Sequence, residues 1–347
     1  MNRVPRGPSV VALGGGHGLF ATLTAVRRFS DDVTAVVTVA DDGGSSGRIR
    51  SELDIIPPGD LRMALAALAA PDERGGLWTE LLQHRFRGNG ALAGHSVGNL
   101  VLAGLTELLE DPVAALAELA GVLGVQGAVL PMAQVPLEIA AEVTGLEDDP
   151  RVVRTIRGQV AVATTPGRVR RVRLLPGDPP AVPAAIRAIQ EADVLVLGPG
   201  SWFTSVIPHL LVPELYDALQ RSSARKVVVL NLAAEPGETA GFSTERHLQV
   251  LAQHAPDFRA DVVLADAAAV RARGERDNVG RAADRFGARV HYRELSVPGT
   301  FTHDPERLAE ALAGFAGVAL PEPGRPRSEH TLHVAGPERT AAGTEGD

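Results

Sequence analysis

Short apolar runs alternate with amphipathic stretches along this chain, and that alternation sets the first expectations. Ser9 to Leu13 reads as a buried strand, followed by the turn Gly14-Gly15-Gly16-His17-Gly18 and a helix to about Phe29. Val33 to Val39 is a second β-branched run, so the chain opens as a β-α-β unit. Helical periods follow at 60–70, 77–86, 97–109 and 112–123. Between about Gly127 and Leu175 the pattern changes to short β-rich pieces, predicting a small hairpin excursion on the edge of the sheet. Helix and strand then alternate again: a helix at 181–191, a strand at 193–198, helical sequence to about Arg221 and a strand at 226–232. A helix at 244–254 and a strand at 261–266 complete the series. Strands separated by helices indicate an α/β fold with a doubly wound, mostly parallel, Rossmann-like sheet. Residues 1–320 are expected to form this domain. Residues 321–347, rich in Pro, Gly and charge without periodicity, are expected to be a disordered tail.

Composition narrows the function classes. The 347 residues are 45% hydrophobic, enough for a sizeable core. Net charge is −8 and no long basic cluster stands out, so general nucleic-acid binding is not expected. Lys226 is the sole lysine, and there is no cysteine, which excludes disulfides, thiolate metal sites and cysteine nucleophiles. The apolar run near the N-terminus is too short for a signal peptide, and no stretch approaches a membrane span. A soluble cytoplasmic protein is the expectation.

The most informative stretch is VVTVADDGGSSGRIRSELDIIPPGD at 36–60. A strand ends in Asp41 and Asp42. The loop Gly43-Gly44-Ser45 follows, with Arg48 and Arg50 behind it and Asp60 after a Pro-Pro-Gly turn. Carboxylates and free backbone amides at strand ends are where open α/β sheets bind ligands. Such a loop offers N–H groups and guanidinium charge to phosphate, and carboxylates to a divalent metal or ribose. The competing reading, strand termination and helix capping, accounts better for one isolated Asp than for three interleaved with Gly and Arg. The turn 14-GGGHG-18 sits where a dinucleotide fingerprint belongs, although Leu19 occupies its last glycine position. Gly14, Gly15, Gly16 and His17 are therefore candidate phosphate contacts, against a plain tight turn with His17 capping or packing. His95 and Asn99 flank a helix N-terminus after Ser96, itself a plausible N-cap. Gly198, Gly200 and Ser201 follow a strand in the second half, and Asn231 ends the next one. Ordinary turn chemistry is the alternative there.

Other chemistries fare worse. No Gly-Lys-Ser/Thr exists, which excludes a P-loop, and the ten histidines show no H-E-x-x-H spacing. Gly43-Gly44-Ser45-Ser46-Gly47 matches G-x-S-x-G, but two aspartates separate it from the strand, which disfavours a Ser45 nucleophile. Trp78 and Trp202 read as packing groups. Arg168, Arg170, Arg171 and Arg173 read as a solvated edge rather than a polyanion site.

These motifs resemble the gluconeogenesis-factor (YvcK-like) family, relatives of the 2-phospho-lactate transferases (CofD-like). The matching stretches are 11-VALGGGHGL-19, 36-VVTVADDGGSSGRIRSEL-53, 57-PPGDLRMALAAL-68, 94-GHSVGNLVLAGL-105, 197-LGPGSWFTSVIPHLLVPEL-215 and 231-NLAAEPGETAGFS-243. The resemblance implies a Rossmann-like core binding a UDP-sugar such as UDP-N-acetylglucosamine, with a role in cell shape and in carbon flow to cell-wall precursors. In the transferase branch, acids matching Asp41 or Asp42 and Asp60 hold Mg²⁺; Asp42 and Asp60 are the metal candidates here. No cofactor beyond Mg²⁺ is implied. A homo-oligomer and cell-wall regulatory partners are compatible with the resemblance. Two positions depart from the family pattern: His17 replaces the Thr of many relatives, and Thr302-His303-Asp304-Pro305 replaces Arg-His-Asp followed by Thr. The first of these last replacements removes an expected nucleotide-sugar contact, and Pro305 removes a phosphorylation site. The leading expectation is a UDP-sugar-binding regulator. The alternatives are a Mg²⁺-dependent phosphoryl-group transferase and an NAD enzyme, the latter lacking a hydride-transfer constellation.

Overall fold

The computed structural model describes residues 7–149, 151–235 and 237–320; the expected tail at 321–347 lies outside them. Seven strands form the main sheet: β1 (Val10–Gly14), β2 (Val33–Val37), β3 (Ala128–Pro131), β7 (Val194–Leu197), β8 (Arg225–Val229), β9 (Val262–Asp266) and β10 (Arg289–Arg293). Their order is β10-β9-β8-β7-β1-β2-β3, and every neighbouring pair is parallel. Helices cover a parallel sheet on both faces, so its inner strands must be apolar throughout. Val10 to Leu13 and Val194 to Leu197 are accordingly all buried.

The chain builds outward from β1 to β3 on one side, then returns to place β7 against the other side of β1. The gap between the ends of β1 and β7 is thus the topological switch point, where such sheets open a crevice. Two helices frame it: α1 (Gly16–Val26) directly after β1 and α3 (Gly59–Leu68), with α2 (Gly44–Leu53) between β2 and α3. Arg27, just past α1, donates to the carbonyls of Ala67 and Ala69, both at 2.7 Å, at the end of α3. That satisfies orphan carbonyls of α3 and locks the two helices side by side. The remaining helices of this half are α4 (Glu73–Gln83), α5 (Val97–Leu109) and α6 (Pro112–Leu123).

The β-rich segment divides in a way periodicity did not anticipate. Its first piece, β3, joins the main sheet beside β2, while β4 (Glu138–Thr144), β5 (Val153–Arg157) and β6 (Arg168–Leu175) form a separate antiparallel sheet, β5-β4-β6. A short helix, α7 (Gln159–Ala163), links β5 to β6. The rest comprises α8 (Pro183–Glu191), α9 (Pro213–Arg221), α10 (Thr244–His254), α11 (Arg273–Asp284) and α12 (Pro305–Ala316). No helix among the described residues is long and apolar enough to cross a membrane.

Candidate functional site

Four helices begin at the switch point, and their first turns touch one another. A Cβ built on Gly15, ahead of α1, would stand 2.5 Å from Asp60 Oδ2, in the first turn of α3. One built on Gly59 would stand 2.2 Å from Ser46 Oγ, in the first turn of α2, and 3.1 Å from Asp41 Oδ2. Asn99, in the first turn of α5, donates from Nδ2 to Ser45 Oγ at 3.0 Å. None of α1, α2, α3 and α5 has a side-chain cap, whereas α4, α6 and α12 are capped by Asp72, Asp111 and Asp304. Apart from the Gly16 N–H of α1, which the Asp60 carboxylate accepts, these uncapped first turns leave N–H donors and the positive ends of their helix dipoles facing the site. Two buried hydroxyls here, Thr38 Oγ1 and Ser96 Oγ, likewise have no partner among the described residues.

The acids partition differently from their order in the sequence. Asp41 accepts from the Gly43 N–H at 2.9 Å and lies close enough to Asp60 to raise its pKa. Desolvation is the larger cause: it carries Asp60 from 3.8 to about 7, with Asp41 adding to it and the Gly16 N–H and Arg62 opposing. Asp41 is itself raised, first by desolvation. Asp42 points elsewhere: its Oδ1 accepts from the Val160 N–H at 2.9 Å, which caps α7 and ties the small sheet to this loop. The carboxylates that share the cleft are therefore Asp41 and Asp60. Among the described residues no group of three or more His, Asp or Glu is arranged to hold a metal. Two carboxylates facing one another, with one pKa raised by the other, still fit a hard divalent cation whose remaining ligands come from a bound diphosphate.

A buried network stands behind the acids. Arg62 Nε donates to Asn99 Oδ1 at 2.9 Å, and Arg62 also donates to Gln83. Because guanidinium only donates, Asn99 must turn its oxygen to Arg62 and its amide hydrogens to Ser45. Ser45 Oγ then directs its own proton to His95 Nδ1, 3.0 Å away. Desolvation, followed by Arg48, holds the His95 pKa below its ordinary value, in keeping with a neutral, accepting imidazole. Ser45 is buried and lies inside α2 rather than at a strand-to-helix elbow, so the G-x-S-x-G match does not present a nucleophile. Arg48 and Arg50 donate to the carbonyls of Ala93 and Leu137, 2.8 and 2.6 Å away. Arg62, which the loop motif alone did not single out, supplies the guanidinium within the network.

Across the cleft, the loop after β7 is held on two sides. Asn231 accepts from the Gly200 N–H at 3.0 Å and donates to the Gly200 carbonyl at 2.9 Å. Gly198 and Gly200 carry φ of +78° and +140°, values that favour glycine. A single π-helical turn, Trp202–Val206, brings Ser205 Oγ to 3.3 Å from the Cβ position of Gly15. Ser201 contacts both Glu235, at 2.9 Å, and Glu238, at 3.1 Å. Desolvation and then Glu235 raise the Glu238 pKa to about 7. Neither glutamate was legible as a site residue, because both lie in a loop defined by turn residues. His17, in the first turn of α1, is exposed. The Asn231→Ala variant is expected to leave Gly200 without either contact, costing ~1–3 kcal/mol; a thermal melt checks this.

Gly14 to His17, Asp41, Gly43 to Ser45, His95 and Asn99 thus lie along the contiguous wall formed by the four helix starts. Gly198, Gly200, Ser201 and Asn231 form the loop opposite, while Asp42 turns to α7. Fold and site define a doubly wound α/β protein with a Rossmann-like strand order, whose uncapped helix starts converge at the switch point.

The model of the family described as 2-phospho-L-lactate transferase CofD matches residues 10–290, and the chain belongs to that family. A provisionally named gluconeogenesis factor of Mycobacterium tuberculosis is 64% identical over 316 residues, covering 90% of this chain and 92% of its own. The gluconeogenesis factor of Bacillus subtilis is 41% identical over 247 residues, covering 71% and 75%. A UPF0052-family crystal structure from Bacillus halodurans superposes with TM-score 0.78 at 35% identity, covering 88% of this chain and 99% of that one.

Proposed function

We propose that the crevice binds a UDP-sugar of the UDP-N-acetylglucosamine type. The protein would then act in the cytoplasm as a regulator of cell-wall precursor balance and cell shape during gluconeogenic growth. The observation that carries the binding reading is the meeting of four uncapped helix starts beside Arg62 and two unpartnered hydroxyls at the switch point. A diphosphate matches that density of N–H donors, and the Gly200 loop opposite leaves backbone groups for the nucleoside or sugar. The gluconeogenesis-factor name of the relatives supports the regulatory part.

A second reading, Mg²⁺-dependent phosphoryl-group transfer, is favoured by one specific feature, the Asp41–Asp60 pair with Asp60 near pKa 7. Mg²⁺ would be held by those carboxylates and neutralise diphosphate charge when bound.

Calorimetry against UDP-N-acetylglucosamine, GDP and NAD, with and without Mg²⁺, tests both. The UDP-sugar is expected to bind most tightly. Clear NAD binding with no UDP-sugar heat at millimolar ligand would reject the reading.

A further inference from the structure

The small sheet treats its arginines in two ways. On and beside β5, Arg151, Arg154 and Arg157 are each paired with an acid, Asp149, Glu147 and Glu138 respectively, at 3.0, 2.5 and 4.0 Å. On β6, Arg168, Arg170, Arg171 and Arg173 are all exposed, and among the described residues none makes an ion pair or donates a hydrogen bond. An irregularity in the β4–β6 register, where Val143 pairs with Val169 and Glu142 with Arg171, leaves Arg170 as an extra residue. That bulge lets Arg170 and Arg171 both face solvent while Val169, Val172 and Leu174 stay buried. Four neighbouring like charges repel one another, in a chain whose net charge is −8 and which pairs the arginines of β5, the other edge strand of the same sheet, with acids.

β6 is also an end strand. Its Val172 N–H is taken by His254 Nε2 at 3.0 Å, from α10. Towards its start, the strand parts from α10, and an open groove of about 960 Å³ lies between them. Thr144, Arg168, Arg170, Arg171, Arg246 and Gln253 line this groove; Glu142 is its one acid among the described residues. From Arg168 to Arg171 the backbone makes no hydrogen bond beyond β4 among the described residues. An unpaired backbone edge is a template for an added strand.

We propose that this groove docks an acidic polypeptide segment, bound in extended form along the free edge of β6, with its carboxylates received by Arg168, Arg170, Arg171 and Arg246. The backbone edge supplies direction and register, and the guanidiniums select for acid. Nucleic acid fits less well, because no aromatic side chain lines the groove for base stacking. An anionic membrane fits less well, because a lipid surface neither enters a groove between β6 and α10 nor pairs with a strand edge.

The test uses the full chain and a fluorescein-labelled peptide of alternating glutamate and valine, followed by anisotropy at low and high salt. Binding that weakens with salt is expected. Joint replacement of Arg168, Arg170 and Arg171 by glutamine should weaken it by at least about tenfold. Arg151→Gln with Arg154→Gln should leave it unchanged. Hydrogen exchange on the unmodified protein should show peptide-dependent protection of the amides from Arg168 to Arg171, a readout independent of any variant's folding. Absence of peptide binding, absence of that protection, or full binding by a folded triple variant overturns the proposal. So does tighter binding of oligothymidylate or phosphatidylserine vesicles at the same arginines.

Discussion

Gly18→Ala is expected to destabilise the protein by ~1–3 kcal/mol, towards the upper end of overpacking costs. A Cβ at Gly18 would sit 2.2 Å from the Pro199 carbonyl oxygen, 2.6 Å from its carbon and 2.7 Å from Gly200 Cα. All three are backbone atoms, so no side chain can swing away. The loop after β7 must move off α1, and the two walls of the crevice part. A fall in melting temperature of ~2–5 °C is expected, together with at least about a tenfold loss of UDP-sugar affinity. Gly76→Ala is the control: nothing lies within 4 Å of its Cβ position, inside α4. Alanine there should stabilise by ~0.5–1 kcal/mol. An unchanged melting temperature for Gly18→Ala would show that the loop contact does not hold the crevice together.

The second large effect concerns Asp60, where stability and function are expected to move in opposite directions. Its folded pKa near 7 lies above the ordinary 3.8, so the folded state binds the proton more tightly than the unfolded chain does. The resulting stability is present below about pH 4, is lost as pH rises through 7, and stays lost above it. The shift corresponds to at most ~4 kcal/mol. Asp60 keeps partial access to water, so a gain of ~1–2 kcal/mol is expected for Asp60→Asn at pH 8. The advantage should shrink as the pH falls towards 4. In the same variant, any strengthening of nucleotide binding by Mg²⁺ should disappear, since one of two facing carboxylates is gone. If the protein is a transferase, Asp60→Asn should abolish turnover with only a modest loss of nucleotide affinity. If it is a regulator, affinity and the cell-shape phenotype should fall together. Melting curves across pH, calorimetry with and without Mg²⁺, and a product assay separate these outcomes. A variant less stable than the parent at pH 8 would contradict the strained-acid account.

Much of the architecture was legible because parallel strands buried on both faces need continuous apolar runs. Val10 to Leu13 and Val194 to Leu197 satisfy that requirement in one dimension, with glycine-rich turns marking where each ends, and Val33 to Val37 departs from it only at Thr34. β10 lacks such a run: Arg289 to Arg293 is an end strand with no fully buried residue, so its place comes from pairing with β9 rather than from its own pattern. β3 was grouped with the excursion for a related reason, since four residues carry too little signal to separate a parallel edge strand from the hairpins after it.

The sequence by itself determined where glycine-rich turns follow apolar strands, because buried apolar runs and turn residues are matters of local chemistry. Tertiary structure alone decided which neighbours became partners. Asp41 and Asp42 are adjacent in the chain and chemically identical, yet the backbone between β2 and α2 directs one towards Asp60 and the other to the Val160 N–H. Arg62 and Asn99, 37 residues apart, meet only because α3 and α5 begin at the same point. Ser45 and His95, 50 residues apart, meet for the same reason. Burial, which carries the Asp60 pKa to about 7, is a property of the assembled crevice rather than of any segment.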